Sequence, residues 1–267
     1  MGGLILERRG YLRRELLGKG AFSDVYTVEH RDSGRICACK ISREIGLLER
    51  EARVMAVVKY PLFPEYYAFW QEAGLGFLLM ENVAGRSLEE FLARRGHFTV
   101  RQTVRAGMIL AEGLLYLHQR PERFLFRDIK PSNIMIRQDG NLKLIDFGCV
   151  CSMEGRQSSR AGTPGYAAPE QLEGSISTSS CDVYGLGRTL QEMLGKEEVR
   201  RREVWGGKRR YGRGQNVMRY RQQKMLRHLL ERCTKKAAEE RIADMNQVIL
   251  QLKQLKVKEC TEKNTKN

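Results

Sequence analysis

Four polar residues stand in a short segment that is otherwise rich in apolar residues, FRDIKPSNIMIRQDGNLKLIDFG. They are Asp128, Lys130, Asn133 and Asp146. A buried charge without a counter-ion is unstable by about several kcal/mol, so these residues need partners. The runs IMI and LKLI predict two short strands joined by the turn RQDGN, so the four residues flank one end of a hairpin. Carboxylate and amide oxygens gathered there would form a cation site.

A glycine-containing turn is a second candidate for chemistry. The run LGKGAFSDVY places Gly18 and Gly20 between two predicted strands, with Ser23 where a third glycine would complete a G-x-G-x-x-G pattern. Glycines let backbone N–H groups approach phosphate oxygens, although glycine pairs are also common in hairpin turns that bind nothing. Because the chain continues into a strand at Val25, the pattern argues against a dinucleotide-binding fold.

Lys40 is a third candidate, in the strand-like run CACKIS. If this lysine faces inward it needs an anion, which could be Glu51 on the following predicted helix or a nucleotide phosphate. The alternative is a lysine that faces outward on an edge strand. The residue pattern alone leaves these possibilities open.

The elements that must position these residues change in type along the chain. Over about the first 80 residues the pattern predicts strands and one helix, LLEREARVMAVV. Two of the strands flank the glycine turn, and the others are RICACKIS and GFLLMENV, which ends near Gly85. From Ser87 onward helices dominate, and Ser87 with Glu90 is a capping-box signature for SLEEFLARRG. Further helices are predicted in VRQTVRAGMILAEGLLYLHQ, CDVYGLGRTLQEML, RYRQQKMLRHLLERC and ADMNQVILQLKQL. We therefore expect an α+β, bilobal fold: a small β-rich N-lobe with one helix, and a larger, mainly helical C-lobe.

Whole-chain properties limit the possible classes of protein. With 267 residues and 42% hydrophobic content, the chain can bury a sizeable core. No run of 18 apolar residues occurs, so we expect no membrane span. The start, MGGLILERRG, has neither a secretory leader nor a myristoylation pattern. Seven cysteines without zinc-ligand spacing are expected to be free thiols, which favours a cytoplasmic protein.

The net charge of +15 is concentrated in one region. Between residues 196 and 236 there are 15 Lys/Arg and 4 Glu, a net charge of +11. The run is either a solvated helix face or a surface for an acidic partner. Its aromatic residues are scattered and no nucleic-acid-binding motif accompanies it, so we do not expect nucleic acid as a partner.

Several motifs follow one another in a fixed order: LGKGAFSDV, ACK, a helix with Glu51, MENV, FRDIKPSN, DFG, GTPGYAAPE, DVYGLG and the late Arg241. In this order they resemble the eukaryotic-type (Hanks-type) serine/threonine protein kinase family, and the compactness of the chain is similar to that of a bacterial member. The resemblance implies a kinase domain over 11–255, with an N-lobe over about 11–81 and a C-lobe over about 86–255. The basic tail 256–267 is expected to be frayed.

The resemblance also implies the chemistry, a transfer of the γ-phosphate of ATP to serine or threonine hydroxyls of proteins with Mg²⁺ or Mn²⁺ as cofactor. Asp128 would orient and deprotonate the acceptor hydroxyl, and Lys130 would neutralise the transferring phosphoryl group. Asn133 and Asp146 would bind the metal. Lys130 together with Thr163 in GTPGY matches the serine/threonine-specific pattern of the family.

The family pattern further implies an ATP site. Lys40 would hold the α- and β-phosphates and contribute to catalysis, oriented by Glu51, with Glu44 or Glu49 as alternatives to Glu51. Met80 would stand at the rear of the adenine slot. The implied ATP-binding residues are Leu17, Gly18, Lys19, Gly20, Val25, Ala38, Lys40, Glu51, Glu81, Val83 and Met135, with Glu81 and Val83 acting through their backbone groups.

Regulation is expected in the Gly/Ser-rich segment EGRQSSRAGTPGY. Arg127 is a cation directly before Asp128, and a phosphate on Ser158 or Ser159 could neutralise it and order the segment. Thr163 is a further candidate regulatory residue. The alternative is a short loop that its own contacts already order.

Three other features of the resemblance concern structure. Glu170 is expected to pair with Arg241, and Asp182 to brace the backbone of the catalytic loop. Phe126 replaces the histidine that the family usually places before Arg-Asp, so its imidazole hydrogen bond is lost. An apolar stack is expected from Met55, Tyr66, Phe126 and Phe147.

The main alternative function is a pseudokinase that binds nucleotide or a partner as a scaffold. Such proteins usually lack the lysine, the catalytic aspartate or the metal aspartate, whereas Lys40, Asp128 and Asp146 are all present. Phosphorylation of a small molecule is disfavoured by GTPGYAAPE, which is a platform for peptides. The expected partner is a protein substrate with a serine or threonine acceptor, with acidic residues near the acceptor if the basic region contacts it.

Overall fold

The structure, a computed structural model, describes residues 2–154, 160–195 and 213–255. The predicted basic clusters within 196–212 and the tail 256–267 lie outside the described residues, as do Ser158 and Ser159. The expected combination of a β-rich N-terminal part and a helical C-terminal part is confirmed.

The N-terminal part is built on a five-stranded antiparallel sheet with the strand order β1-β2-β3-β5-β4. Its strands are β1 (Tyr11–Lys19), β2 (Ser23–His30), β3 (Ile36–Ser42), β4 (Tyr66–Glu72) and β5 (Leu75–Glu81). Strand β5 was expected to continue to about Gly85, but it ends at Glu81, where its pairing with β3 also ends at Cys37.

Two helices accompany this sheet, α1 (Gly2–Arg8) and α2 (Ile45–Val57). Helix α2 is the one helix expected for the N-lobe, whereas α1 lies before residue 11 and was missed. This short helix is held by tertiary packing: Ile5 and Leu6 are fully buried with Cys37 and Cys39 in a second apolar cluster on the outer face of the sheet. Neighbouring residues of a strand point to opposite faces, so Lys40 lies on the inner face.

The C-terminal part contains six helices within the described ranges. They are α3 (Leu88–Arg95), α4 (Val100–His118), α5 (Pro169–Glu173), α6 (Ser179–Leu194), α7 (Arg213–Cys233) and α8 (Met245–Leu255). Helix α4 packs against both α6 and α8 and carries much of the main core. Ser87 caps α3 by accepting a hydrogen bond from the Glu90 amide at 3.1 Å, as the capping signature predicted.

The predicted hairpin is confirmed as β8 (Ile134–Ile136) and β9 (Leu142–Leu144), with Met135 directly opposite Lys143. A two-residue strand, β6 (Arg86–Ser87), pairs with β8. Farther along, β7 (Phe124–Leu125) pairs with β10 (Cys151–Ser152). The hairpin thus carries its polar neighbours to the edge that faces the N-terminal sheet.

The expected apolar stack forms where the two parts meet. Phe126 and Phe147 pack edge to face at 5.6 Å between ring centroids, and both belong to the main core with Met55. Phe63 was not predicted, although its ring lies 6.4 Å from Phe126 and 5.3 Å from Phe147. Tyr66 is only partly buried against this core.

The cysteines and the lengths of the helices bear on the expectations of free thiols and of no membrane span. All six cysteines in the described part of the chain are free thiols. Among the helices of the described ranges, none has the length and apolar character that a membrane crossing requires.

Candidate active site

Lys40 lies between two carboxylates. Its Nζ is 2.8 Å from Oε2 of Glu51 on α2 and 2.9 Å from Oδ1 of Asp146, which follows β9. Of the anions left open by the sequence, Glu51 is therefore the protein partner. The two alternatives lie elsewhere: Glu44 occupies the N-cap position of α2 without a capping hydrogen bond from its side chain, and Glu49 pairs with Arg53 at 2.7 Å.

The ammonium of Lys40 and the two carboxylates shift one another's pKa values, and burial raises the pKa of Glu51 despite the neighbouring lysine. Burial lowers the pKa of Lys40, but the two carboxylates outweigh that effect and raise it above its ordinary value. Partial burial raises the pKa of Asp146, yet the ammonium of Lys40 and the amide of Gly148 bring it below its ordinary value. The lysine is therefore charged at neutral pH, and so is the Asp146 carboxylate, whose side chain is 47% exposed.

A second polar group surrounds Asp128, whose side chain is only 8% exposed. Lys130 Nζ lies 2.9 Å from Asp128 Oδ2 and donates a 2.7 Å hydrogen bond to the hydroxyl of Thr163. That hydroxyl in turn donates to Asp128 Oδ1 at 2.8 Å. The three residues, separated by up to 35 positions in the chain, form a closed triangle in which every charged atom has a partner.

Asn133 connects this triangle to the hairpin. It ends a short 3-10 turn that begins at Pro131. Its Nδ2 donates to the backbone carbonyl of Asp128 at 2.9 Å and to Asp128 Oδ2 at 3.1 Å. Because the amide nitrogen makes both contacts, the side-chain oxygen of Asn133 is the atom available to a cation.

The backbone on both sides of the triangle is held in an unusual conformation. Arg127 has φ = 66° and Asp146 has φ = 69°, in the left-handed region that costs a non-glycine residue about 1 kcal/mol or more. Asp182 on α6 stabilises the backbone at Arg127 by accepting hydrogen bonds from the backbone amides of Phe126 at 2.9 Å and Arg127 at 2.7 Å. The expected bracing role of Asp182 is thus present.

His118 was missed by the sequence argument. It ends α4, is buried, and its Nε2 lies 2.8 Å from Asp182 Oδ2. An imidazole therefore reaches the same aspartate that braces Phe126, although position 126 itself carries no histidine. The signal in the sequence was a polar residue at the end of an otherwise apolar helix face.

The residues expected around the adenine ring lie on one face of the sheet. Val25 stands directly opposite Lys40 across β2 and β3, and Ala38 stands opposite Met80 across β3 and β5. Directly opposite residues share a face, so all four face the same side. Met135 comes from the hairpin. Val83 follows β5, in the short segment 81–83 that joins the two parts, called the linker below, and is partly buried.

The glycine turn closes the outer end of this face. Leu17, Gly18 and Lys19 are exposed on β1, and the amide of Gly20 donates to the Ser23 carbonyl at 2.8 Å. A Cβ at Gly20 would come within 3.1 Å of that carbonyl oxygen, whereas one at Gly18 would meet nothing within 4 Å. A side chain at the second position would therefore be crowded, and the space at the first is open to a ligand.

Comparison with known proteins identifies this arrangement. Residues 11–256 match the protein family described as "Protein kinase domain". The chain belongs to the protein kinase family. It is 31% identical over 190 residues to an Aurora kinase of Eremothecium gossypii and 30% identical over 187 residues to Aurora kinase A-A of Xenopus laevis. It is also 30% identical over 186 residues to the human "Putative serine/threonine-protein kinase PRKY".

Each of these matches covers 67% of this chain, and they cover 51%, 46% and 66% of the respective relatives. The chain thus spans about half the length of the two Aurora kinases. All three relatives are eukaryotic, so the expectation of a bacterial source is not borne out.

The expected ion pair between Glu170, in the motif GTPGYAAPE, and Arg241 is present. Arg241 is fully buried and its Nη2 lies 2.7 Å from Glu170 Oε2. The same guanidinium donates to the carbonyls of Lys235 and Lys236, both at 2.7 Å. The pair therefore ties the segment after α7 to the start of α5.

One expectation about the kinase needs correction. Arg127 was expected to be a cation awaiting a phosphate on Ser158 or Ser159, but it is buried and its Nε donates to the carbonyl of Cys149 at 2.7 Å. Its guanidinium therefore already has a protein partner, although that acceptor is a neutral carbonyl. Phosphorylation of Ser158 or Ser159, which lie outside the described residues, stays a prediction. Thr163, the third regulatory candidate, is held between Asp128 and Lys130.

Proposed function

We propose that this chain is an active serine/threonine protein kinase that transfers the γ-phosphate of ATP to serine or threonine hydroxyls of proteins. The observation that carries the proposal is the contact between Lys40 and Asp146. It joins the lysine and Glu51 of the N-terminal sheet and helix to the DFG aspartate of the C-terminal part. Phosphoryl transfer depends on such alignment of charges more than on covalent chemistry.

The donor set fits a magnesium ion. Mg²⁺ in kinases is usually held by one or two carboxylates or amides with phosphate oxygens and water completing the octahedron. Asp146 and Asn133 would supply the protein oxygens. Within the described residues, no group of three or more His, Cys, Asp or Glu is arranged to hold a metal ion. When bound, the metal would neutralise charge on the phosphates.

Three side chains would then have separate roles in the transfer of the phosphoryl group. Lys40, kept cationic by Glu51, would bind the α- and β-phosphates after exchanging its contact with Asp146 for phosphate oxygens. Asp128 would accept a hydrogen bond and then the proton from the attacking hydroxyl. Lys130 would lie beside the oxygens of the transferred group, where negative charge accumulates.

Serine/threonine specificity is supported by Thr163. Its hydroxyl links Asp128 and Lys130, so the activation-segment motif GTPGY completes the catalytic loop. The names of the relatives, Aurora kinase and serine/threonine-protein kinase, agree with this specificity. We extend the proposal to a kinase domain over 11–255, to the predicted ATP-binding residues described above, and to a cytoplasmic enzyme with free thiols. Acidic residues near the acceptor remain a prediction from the basic region.

The test is nucleotide binding and label transfer in three variants. Lys40→Met and Asp146→Asn should each abolish transfer from γ-labelled ATP while retaining a cooperative thermal transition, because each supplies charge to the nucleotide rather than packing. Arg53→Met is a matched control, since it removes an exposed ion pair with Glu49 on α2 and should leave transfer unchanged. Full turnover in the Lys40 or Asp146 variant would disprove the proposed function.

A further inference from the structure

A cluster of charged side chains lies at the end of β5, where the sheet joins the helical part. The carboxylate of Glu81 accepts hydrogen bonds from Lys143 Nζ on β9 at 2.7 Å and from Arg137 Nη1 at 3.1 Å. The backbone amide of Glu65 also donates to this carboxylate, at 3.2 Å. The Glu81 and Lys143 side chains are only 17% and 12% exposed. None of these side chains has a role in the proposed transfer chemistry.

The cluster joins three separate segments of the chain. Besides Glu81, Lys143 Nζ donates to the carbonyl of Phe63 at 2.9 Å. The amide of Glu81 donates to the carbonyl of Glu65 at 2.8 Å. The end of β5, the segment before β4 and the β8–β9 hairpin are therefore held together at one point.

The cluster around Glu81 and Lys143 lies next to residues that are predicted to contact the adenine ring. Lys143 is directly opposite Met135 in the hairpin, and Met135 is one of the residues predicted to contact the adenine ring. Glu81 is the first of the two predicted linker residues whose backbone would contact the adenine ring. The ion pair between Glu81 and Lys143 thus connects the backbone that would contact the ring to the hairpin that carries Met135.

From this geometry we infer that Glu81, Lys143 and Arg137 are positioning residues that fix the distance between Met135 and the linker backbone, and so determine affinity for the adenine ring. The inference rests on the proposed function, because it assumes that the slot binds ATP. Loss of one partner leaves the remaining partly buried charges under-compensated, and they are expected to move apart or toward water.

The experiment compares Lys143→Met and Glu81→Gln with the wild-type chain by calorimetry. ADP with Mg²⁺ probes the whole site, and inorganic tripolyphosphate probes the phosphate region without an adenine ring. Both variants should bind ADP about tenfold more weakly, the lower end of the range for groups that orient metal ligands. Tripolyphosphate affinity should stay within about twofold. In kinetics, the KM for ATP should rise while kcat stays close to the wild-type value.

Two further variants separate positioning from general stability. Lys143→Arg keeps the cation and should recover most of the ADP affinity. Arg14→Met removes an ion pair with Glu29 on the outer strands and should not change ADP binding. Melting curves are recorded for each protein. If Lys143→Met does not fold, Glu81→Gln, which keeps the volume of the side chain, decides the question.

The binding results distinguish a failure of the proposed function from a failure of the inference about Glu81, Lys143 and Arg137. A wild-type chain that binds no ADP would count against the proposed function and not against the cluster. Wild-type binding with unchanged or tighter ADP affinity in folded Lys143→Met and Glu81→Gln would overturn the inference. Equal losses of ADP and tripolyphosphate affinity would also overturn it, because the effect would then lie outside the adenine slot.

Discussion

The hydroxyl of Thr163 offers a test of the catalytic triangle. Thr163→Val removes this hydroxyl and keeps the shape of the side chain, so Asp128 Oδ1 loses a donor at 2.8 Å and Lys130 Nζ loses an acceptor at 2.7 Å. A hydrogen bond to a charged group contributes about 1.5–3 kcal/mol. Because Lys130 keeps its direct 2.9 Å contact with Asp128, we expect the loss of about one such bond rather than two.

A loss of about 2 kcal/mol in transition-state stabilisation corresponds to about a 30-fold fall in kcat/KM. Initial rates are measured with the best acceptor from a degenerate serine/threonine peptide library, at varied ATP and varied peptide. Thr163→Ser keeps the hydroxyl and should stay within about threefold of the wild-type rate. The KM for ATP should change little, because the triangle faces the acceptor rather than the adenine slot.

The result that would refute this reasoning is a Thr163→Val enzyme with the wild-type kcat/KM. A fall of the same size in Thr163→Ser would refute it equally, because the effect would then come from packing and not from the hydroxyl. Phosphate found on Thr163 in the most active fraction of the enzyme would also contradict it, since a phosphorylated oxygen could not donate to Asp128.

Three predictions concern stability and reactivity. Arg241→Met leaves Glu170 without its buried partner, so it should lower the free energy of unfolding by about 3–5 kcal/mol in a denaturant titration. A loss below about 1 kcal/mol would show that the pair is dispensable. Leu6→Ala should lower the free energy of unfolding by about 2–5 kcal/mol, because Leu6 is fully buried. Leu4 is 68% exposed, so Leu4→Ala should change it by no more than about 0.5 kcal/mol. Equal effects of the two substitutions would mean that α1 does not pack on the sheet. Burial raises the pKa of Cys39 to about 12, so at pH 8 only about 1 in 10,000 of these thiols is ionised. Iodoacetamide should therefore leave Cys39 unmodified until the chain unfolds, and rapid native modification detected by mass spectrometry would contradict the fold.

Local patterns were sufficient for much of the site. The hairpin was predictable because β-branched runs and an Asp-Gly turn act within about ten residues. That hairpin fixed where Asn133 and Asp146 emerge. The pairing of Lys40 was less certain, because the choice among Glu44, Glu49 and Glu51 depends on the rotational phase of α2 relative to the sheet.

Features that depend on distant parts of the chain were missed or wrong. Helix α1 has too few residues to show a periodic pattern, and it is stable because Ile5 and Leu6 are covered by the sheet. Phe63 lies in a loop segment whose burial follows from docking of the two parts. The partner of Arg127 was not predicted because its acceptor is a backbone carbonyl 22 residues away at Cys149, which no side-chain motif reveals.

The central claim, that this chain is a serine/threonine kinase with Asp128 as its base, is tested most directly by label transfer from ATP. The purified chain and its Asp128→Asn variant are incubated with γ-labelled ATP, Mg²⁺ and the peptide library, and the labelled amino acids are identified. We predict label on serine and threonine with the wild type, a rate at least about 100-fold lower with Asp128→Asn, and equal ADP affinity in both. Equal labelling by the two proteins, or ADP binding by the wild type without any transfer to serine or threonine, would contradict the claim.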